Sequence, residues 1–296
     1  MADVVTVPRN AGVHVSVALA AVLYGSSFAT SSIGAHTFGP IYFGAMRFSA
    51  AGVALLVWVC VRSRRAPGLD VVLWSIAAGV VGFGLNQVLF LNGLLLTSAS
   101  ESALIYGLAP LITAVLVQGS EGGMEVHKLV GAGVCLMGIV IAVPVSSVNS
   151  GDLVRTVEGD LLVAGSVCAW AVGMVVSRRA LAHESPVWVT ALMAMSAGAF
   201  LWAVAGVWGR GFGSVTEEAM VALGFTTLGP TMLAGTLWSK GVQVIGAWKA
   251  SMYTYLEPVA GVVVAAMVLG SGFAQRTVVG LALVLGGMVI GLKSWR

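Results

Sequence analysis

Apolar residues along this chain do not alternate with polar ones. They gather into ten long runs, at about residues 13–33, 40–61, 71–96, 102–119, 128–143, 159–177, 187–208, 218–239, 251–269 and 275–292. Most have the ~17–25 residues that an α-helix needs to cross ~30 Å of hydrocarbon. Backbone groups in a bilayer must be satisfied within the segment, so each run is predicted as a transmembrane helix. The connections are short, and the longest, around 144–158, joins two halves. No stretch is left over for a separate soluble domain.

The second half repeats the first about 148 residues on. Asn92-Gly93 returns as Lys240-Gly241, Tyr106-Gly107-Leu108-Ala109-Pro110 as Thr254-Tyr255-Leu256-Glu257-Pro258, and Gly138 as Gly287. Five helices per copy is an odd number, so the second copy enters the membrane inverted. Paired inverted units with breaks in matching helices are a transporter signature. The expected fold is therefore an all-α integral membrane protein, with ten transmembrane helices forming two inverted five-helix repeats (1–148 and 149–296) around a central cavity.

Composition agrees with that class. Of 296 residues 58% are hydrophobic and 9% charged, against about 25% charged in soluble domains. Cys60, Cys135 and Cys168 share no spacing and read as small packing residues rather than a disulfide or metal site. Ala18-Leu19-Ala20 resembles a signal-peptide cleavage site, but it falls mid-run, and the repeat needs this segment to match the sixth. With both termini cytoplasmic, the inner ends collect Arg9, Arg62, Arg64, Arg65, Lys128, Arg178, Arg179, Lys293 and Arg296, and the outer ends Arg155, Arg210 and Arg276. Basic residues favour the inside, which fixes this orientation. The net charge of +3 comes from those loops and gives no reason to expect a nucleic-acid partner.

Several motifs together resemble the drug/metabolite transporter superfamily, in its ten-helix EamA branch. They are Tyr24-Gly25-Ser26-Ser27-Phe28 in the first helix, Pro40 and Arg47 in the second, and Asn92-Gly93-Leu94 running through Thr97-Ser98-Ala99 into Leu108-Ala109-Pro110. Gln118-Gly119-Ser120-Glu121, Trp170 and Leu256-Glu257-Pro258-Val259-Ala260 complete the set. The chain departs from the family at Gly270-Ser271-Gly272, where a glutamate is usual. The resemblance covers nearly the whole chain. It implies a cavity lined by helices one, three, four, six, eight and nine, with five and ten peripheral, and outward transport of amino acids or related metabolites.

The candidate residues are those that are costly in hydrocarbon. Pro110 and Pro258 each free the carbonyl four residues earlier, on Tyr106 and Thr254, and are expected to act as hinges. Glu257 lies well inside an apolar run, where a charge costs ~2.5–3.5 kcal/mol. It either faces a cavity as a coupling group or pairs with Lys240 or Arg47. Arg47 has Met193 as its repeat counterpart, and a structural ion pair is its first reading. Lys240 reads as a carboxylate ligand or a snorkelling side chain. Lys249, Tyr253 and Glu257 share one face of the ninth helix, with Lys249 and Glu257 about 12 Å apart along the axis. The expected cavity lining is Tyr24, Ser27, Asn86, Asn92, Tyr106, Trp170, Trp238, Tyr253 and Glu257, with Ser31, Gln87 and Thr113 nearby in the pattern. Gly287 and Gly291 form a GxxxG pair, with Gly138 and Ala142 as its counterpart, which suits close helix packing.

Taken together these features predict a secondary transporter, an exporter of amino acids or similar zwitterions working by alternating access in a bacterial inner membrane. It is expected to be monomeric, with a dimer through the tenth helix as the alternative. The second reading is a proton-coupled multidrug or cation exporter using Glu257. A third, of another class, is a non-transporting structural or regulatory membrane protein, against which the charged interior speaks. No enzymatic chemistry, cofactor or metal is expected: His14, His36, His127 and His183 are scattered at helix ends and loops.

Overall fold

The computed structural model describes residues 11–63, 65–97, 99–117, 126–142, 153–208, 213, 215–260 and 275–292, whose regular secondary structure is helical, with no strand among them. Gln118–Glu121, Gly270–Gly272 and most of the connection between the halves lie outside the described residues. Helix α1 spans Ala11–Phe38, α2 Pro40–Arg62 and α3 Leu69–Leu94. Helix α4 comes in two pieces, Ala99–Tyr106 and Ala109–Val117. Then follow α5 Val126–Ala142, α6 Leu153–Leu181, α7 Pro186–Trp208 and α8 Glu217–Ile245. Helix α9 opens with Ala247–Ser251, tightens to a 3₁₀ turn over Met252–Tyr255 and is helical again over 256–260; α10 is Gln275–Leu292.

These helices fall on the ten apolar runs of the sequence. Among the described residues five are long and apolar enough to span a membrane: Pro40–Arg62, Leu69–Leu94, Val157–Leu181, Pro186–Trp208 and Glu217–Ile245. The bent α1 makes a sixth when its two arms count as one span. Elementary punctuation sets the ends. Gly39, at φ 79°, turns the chain between α1 and α2, and Pro40 then starts α2 where its missing N–H is no loss. Thr216 caps α8 by accepting from the Ala219 N–H at 3.3 Å. Gly246, at φ 85°, makes the α8–α9 turn.

Three interior irregularities shape the site. Helix α1 bends by 46° between Gly12–Phe28 and Thr30–Phe38, where Ser26, Ser27 and Thr30 each donate back to a carbonyl three residues earlier. Helices α3 and α8 each widen into a π stretch, over Val80–Leu85 and Thr227–Ala234. The two stretches sit at matching positions of the two halves. In α8 the physical cause is legible: Pro230 cannot donate to the Thr226 carbonyl, and the Thr231 hydroxyl donates to it instead at 2.8 Å.

Packing follows the same internal symmetry. Helix α2 lies on α7 and α5 on α10, while α1 packs on α8 and α3 on α6. Exchanging each helix with the one five places on maps this set of pairs onto itself. Without a hydrophobic drive inside lipid, such contacts depend on close fit. A Cβ on Gly82 would stand 2.8 Å from the Gly173 Cα, so α3 and α6 touch backbone to backbone. Gly287 and Gly291 face α5 and α9: a Cβ on Gly287 would meet the Gly131 carbonyl at 2.6 Å, and one on Gly291 the Met252 Cε at 2.7 Å. The GxxxG face is thus spent on contacts inside the chain.

Candidate functional site

A cavity of about 80 Å³ lies where α1, α2, α3, α4, α6, α8 and α9 converge. Tyr24, Ser27, Phe28 and Ser31 come from one face of α1, at steps of three and four residues. Phe83, Asn86, Gln87 and Phe90 repeat that spacing on α3, Phe83 within its π stretch and the other three just past it. Arg47 and Phe48 enter from α2, Tyr106 from the last turn before the α4 break, Trp170 from α6, Pro230 and Thr231 from the α8 π stretch, and Glu257 from α9. A water site needs roughly 10–15 Å³ by the same kind of measure. The space therefore suits several waters or one small solute.

One wall is aromatic. Phe28, Phe90 and Tyr106 meet edge to face in a mutual trio, with ring centroids 5.6, 5.9 and 5.5 Å apart. Behind the opposite side Trp238 stands edge-on to both Tyr24 and Trp170, at 5.8 and 5.4 Å.

The rest of the lining is polar and ordered. Arg47, 5% exposed, donates from Nη2 to Gln87 Oε1 at 2.6 Å and reaches Ser31 Oγ from Nη1 at 3.4 Å. Gln87 Nε2 donates to Asn86 Oδ1 at 2.8 Å, and Asn86 Nδ2 donates to Tyr106 Oη and to the Ser166 carbonyl, both at 2.9 Å. This relay joins α2, α3, α4 and α6. Its repeat positions in α7 and α8 carry Met193, Ala234 and Gly235, so only the first half builds it. The guanidinium also lies 4.8 Å from the centroid of the Phe48 ring. Its Nε has no hydrogen-bond partner among the described residues.

Glu257, 4% exposed, is the carboxylate of the cavity. Among the described residues neither it nor Arg47 has an ion-pair partner. The structural ion pair read for Arg47 from sequence is therefore replaced by contacts to neutral amide, hydroxyl and ring groups.

The sequence-predicted residues divide accordingly. Tyr24, Ser27, Asn86, Tyr106, Trp170, Arg47 and Glu257 come together in the lining. Asn92 does not join them: its Nδ2 donates to the Val88 carbonyl of its own helix at 2.6 Å. Trp238 is buried one layer behind, Lys240 is exposed, and Lys249 is half-buried away from the lining. Tyr253 is turned toward α1, where its hydroxyl meets His14 Nδ1 at 2.6 Å. The 3₁₀ turn over Met252–Tyr255 has three residues per turn, which moves Tyr253 off the face that an unbroken α-helix would give it with Glu257. Pro110 is the second residue of the α4 piece that follows the break, and Pro258 is the third residue past the α9 3₁₀ turn. Phe28, Phe48, Phe83, Phe90, Pro230 and Thr231 were not expected in the lining; a phenylalanine in an apolar run looks the same whether it faces lipid or a cavity. No group of His, Cys, Asp and Glu among the described residues could hold a metal.

The EamA-like transporter family matches residues 13–143 and again 157–292. The uncharacterized transporter YyaM of Bacillus subtilis strain 168 is 26% identical over 287 residues, covering 90% of this chain and 89% of its own. The uncharacterized inner membrane transporter YedA of Escherichia coli K12 is 25% identical over 274 residues, 86% of this chain and 81% of its own. One solved crystal structure superposes with a TM-score of 0.75 over 93% of this chain and 95% of that one, at 20% identity, a likeness of fold alone.

Proposed function

Because the chain belongs to the EamA-like transporter family and is a multi-pass membrane protein, we propose that it exports an amino acid or similar small zwitterion by alternating access. The observation that carries this reading is the central cavity: it holds one cation, Arg47, and one carboxylate, Glu257, with neither paired to the other among the described residues. A zwitterion presents the complementary pair of charges, and an aromatic wall with a few polar groups is the usual lining of a small-molecule site.

The proposed architecture is ten crossings in two inverted halves, 1–148 and 149–296, with both termini cytoplasmic. Two family matches, the swap-symmetric helix pairing and the matching π stretches support the halves. The excess of lysine and arginine on the inner ends supports the orientation. A bacterial inner membrane is the proposed location, since a relative is named for it. The substrate would bind without a cofactor, to a monomer.

Counterflow in proteoliposomes tests this, with labelled threonine and tryptophan and with lipophilic cations as competitors. Saturable counterflow that the cations leave unchanged is the expected result. One observation favours a second reading, a proton-coupled cation exporter: among the described residues Glu257 has no ion-pair partner, and it shares the cavity with aromatic side chains. In that case cations alone would move, under a pH gradient, and Glu257→Gln would abolish the flux.

A further inference from the structure

Arg47 carries a charge that cannot be neutralised at ordinary pH, and among the described residues no carboxylate pairs with it. It is 5% exposed, lines the cavity, and among the described residues touches only neutral groups. Two of its contacts are unequal. The Gln87 bond at 2.6 Å is short and anchored, because Gln87 is held by Asn86 and Asn86 by Tyr106 and Ser166. The Ser31 contact at 3.4 Å is loose, and Nε makes none. A guanidinium has five N–H donors, so among the described residues most of its hydrogen-bonding capacity is unused while one end is clamped.

A residue placed only to tie helices together does not show this pattern. In hydrocarbon a structural arginine is expected to meet a carboxylate or to saturate its donors on carbonyls. Here the fixed end is rigid and the free end shares a cavity with Glu257. The charge still requires an anion, and the cavity is open to one.

We propose that Arg47 is the carboxylate-binding group of the cavity: the solute's carboxylate docks on the unused guanidinium donors, displacing the loose Ser31 contact, while Gln87 and Asn86 hold the guanidinium in place. This rests on the zwitterion reading above and deepens it, since it assigns each charge of the solute to a side of the cavity, with the ammonium left to Glu257. It also makes the site one-sided, because the repeat counterpart of Arg47 is the buried Met193.

The test uses full-length protein in proteoliposomes and the competitor pairs threonine/threoninamide and tryptophan/tryptophanamide. Each amide keeps the ammonium and side chain and lacks only the anion. The wild type is expected to prefer the free acid over its amide by about tenfold or more, as a charged hydrogen-bonded contact implies. Arg47→Gln should bring the two within about twofold, mainly by weakening the acid. Arg47→Lys, which keeps the charge and loses the planar fork, should retain a reduced preference. If Arg47→Gln does not fold, the wild-type and Arg47→Lys preferences decide alone. Equal competition by acid and amide in the wild type overturns the proposal, as does a loss in Arg47→Gln that falls equally on both. Saturable flux with no acid preference defeats the assignment of Arg47 only. Absence of any amino-acid flux defeats the reading beneath it.

Discussion

Gly25 on α1 presses against the backbone of Glu257 on α9: a Cβ at Gly25 would overlap the Glu257 carbonyl oxygen and lie 2.8 Å from its carbonyl carbon. This contact joins a helix of the first half to one of the second. It also sets the Glu257 side chain at the level of Tyr24 and Ser27. The glycine is therefore fixed by interhelical distance, not by backbone freedom.

Gly25→Ala should then separate α1 from α9 and cost about 1–3 kcal/mol by overpacking. The expected outcome is a lower melting temperature in detergent and loss of transport. Gly133→Ala, at a position with nothing within 4 Å, should leave both unchanged. Thermal unfolding followed by size-exclusion chromatography reads the comparison.

Asn86 and Asn92 look alike in sequence and differ in structure. Asn86→Leu removes the partner of Tyr106 Oη, the Ser166 carbonyl and Gln87 Nε2 together. Leaving such groups unpaired costs about 1–3 kcal/mol for each, so lower stability and a raised KM are expected. Asn92→Leu loses only a bond within its own helix, and KM should not change. Counterflow titrations of the two variants side by side check this.

The sequence made the helices legible because bilayer thickness forces apolar runs of a fixed length, and duplication marked the paired prolines. It also exposed Arg47 and Glu257, since charges in such runs are rare. What it could not give was rotation about each helix axis. With apolar residues on every face of α3 and α8, nothing in the pattern says that Asn86 looks inward while Asn92 does not, or that Phe83 and Phe90 line a cavity. The π stretches add a further turn of offset; only Pro230 with Thr231 hints at one, and the hint needs the Thr226 carbonyl to be interpreted. Tyr253 was misplaced for a similar reason, because a single 3₁₀ turn rotated it toward His14.

Pro110 and Pro258 follow matching irregularities in α4 and α9. If they act as hinges, Pro110→Ala and Pro258→Ala should straighten those helices and lower the maximal rate several-fold while KM stays near the wild-type value, since conformational steps limit such cycles. Initial-rate measurements in proteoliposomes distinguish this from a KM effect, which would place the prolines in binding instead.

The cavity where α1, α2, α3, α4, α6, α8 and α9 converge is the proposed transport site, reached alternately from the two faces of the membrane. The most direct measurement is labelling of Ser27→Cys, in a background lacking Cys60, Cys135 and Cys168, with a membrane-impermeant maleimide applied from each side. Ser27 lines the cavity, and cysteine matches its size. Labelling from both faces, slowed by the transported amino acid, is the expected result. Labelling from one face only, or labelling that no substrate slows, would contradict it.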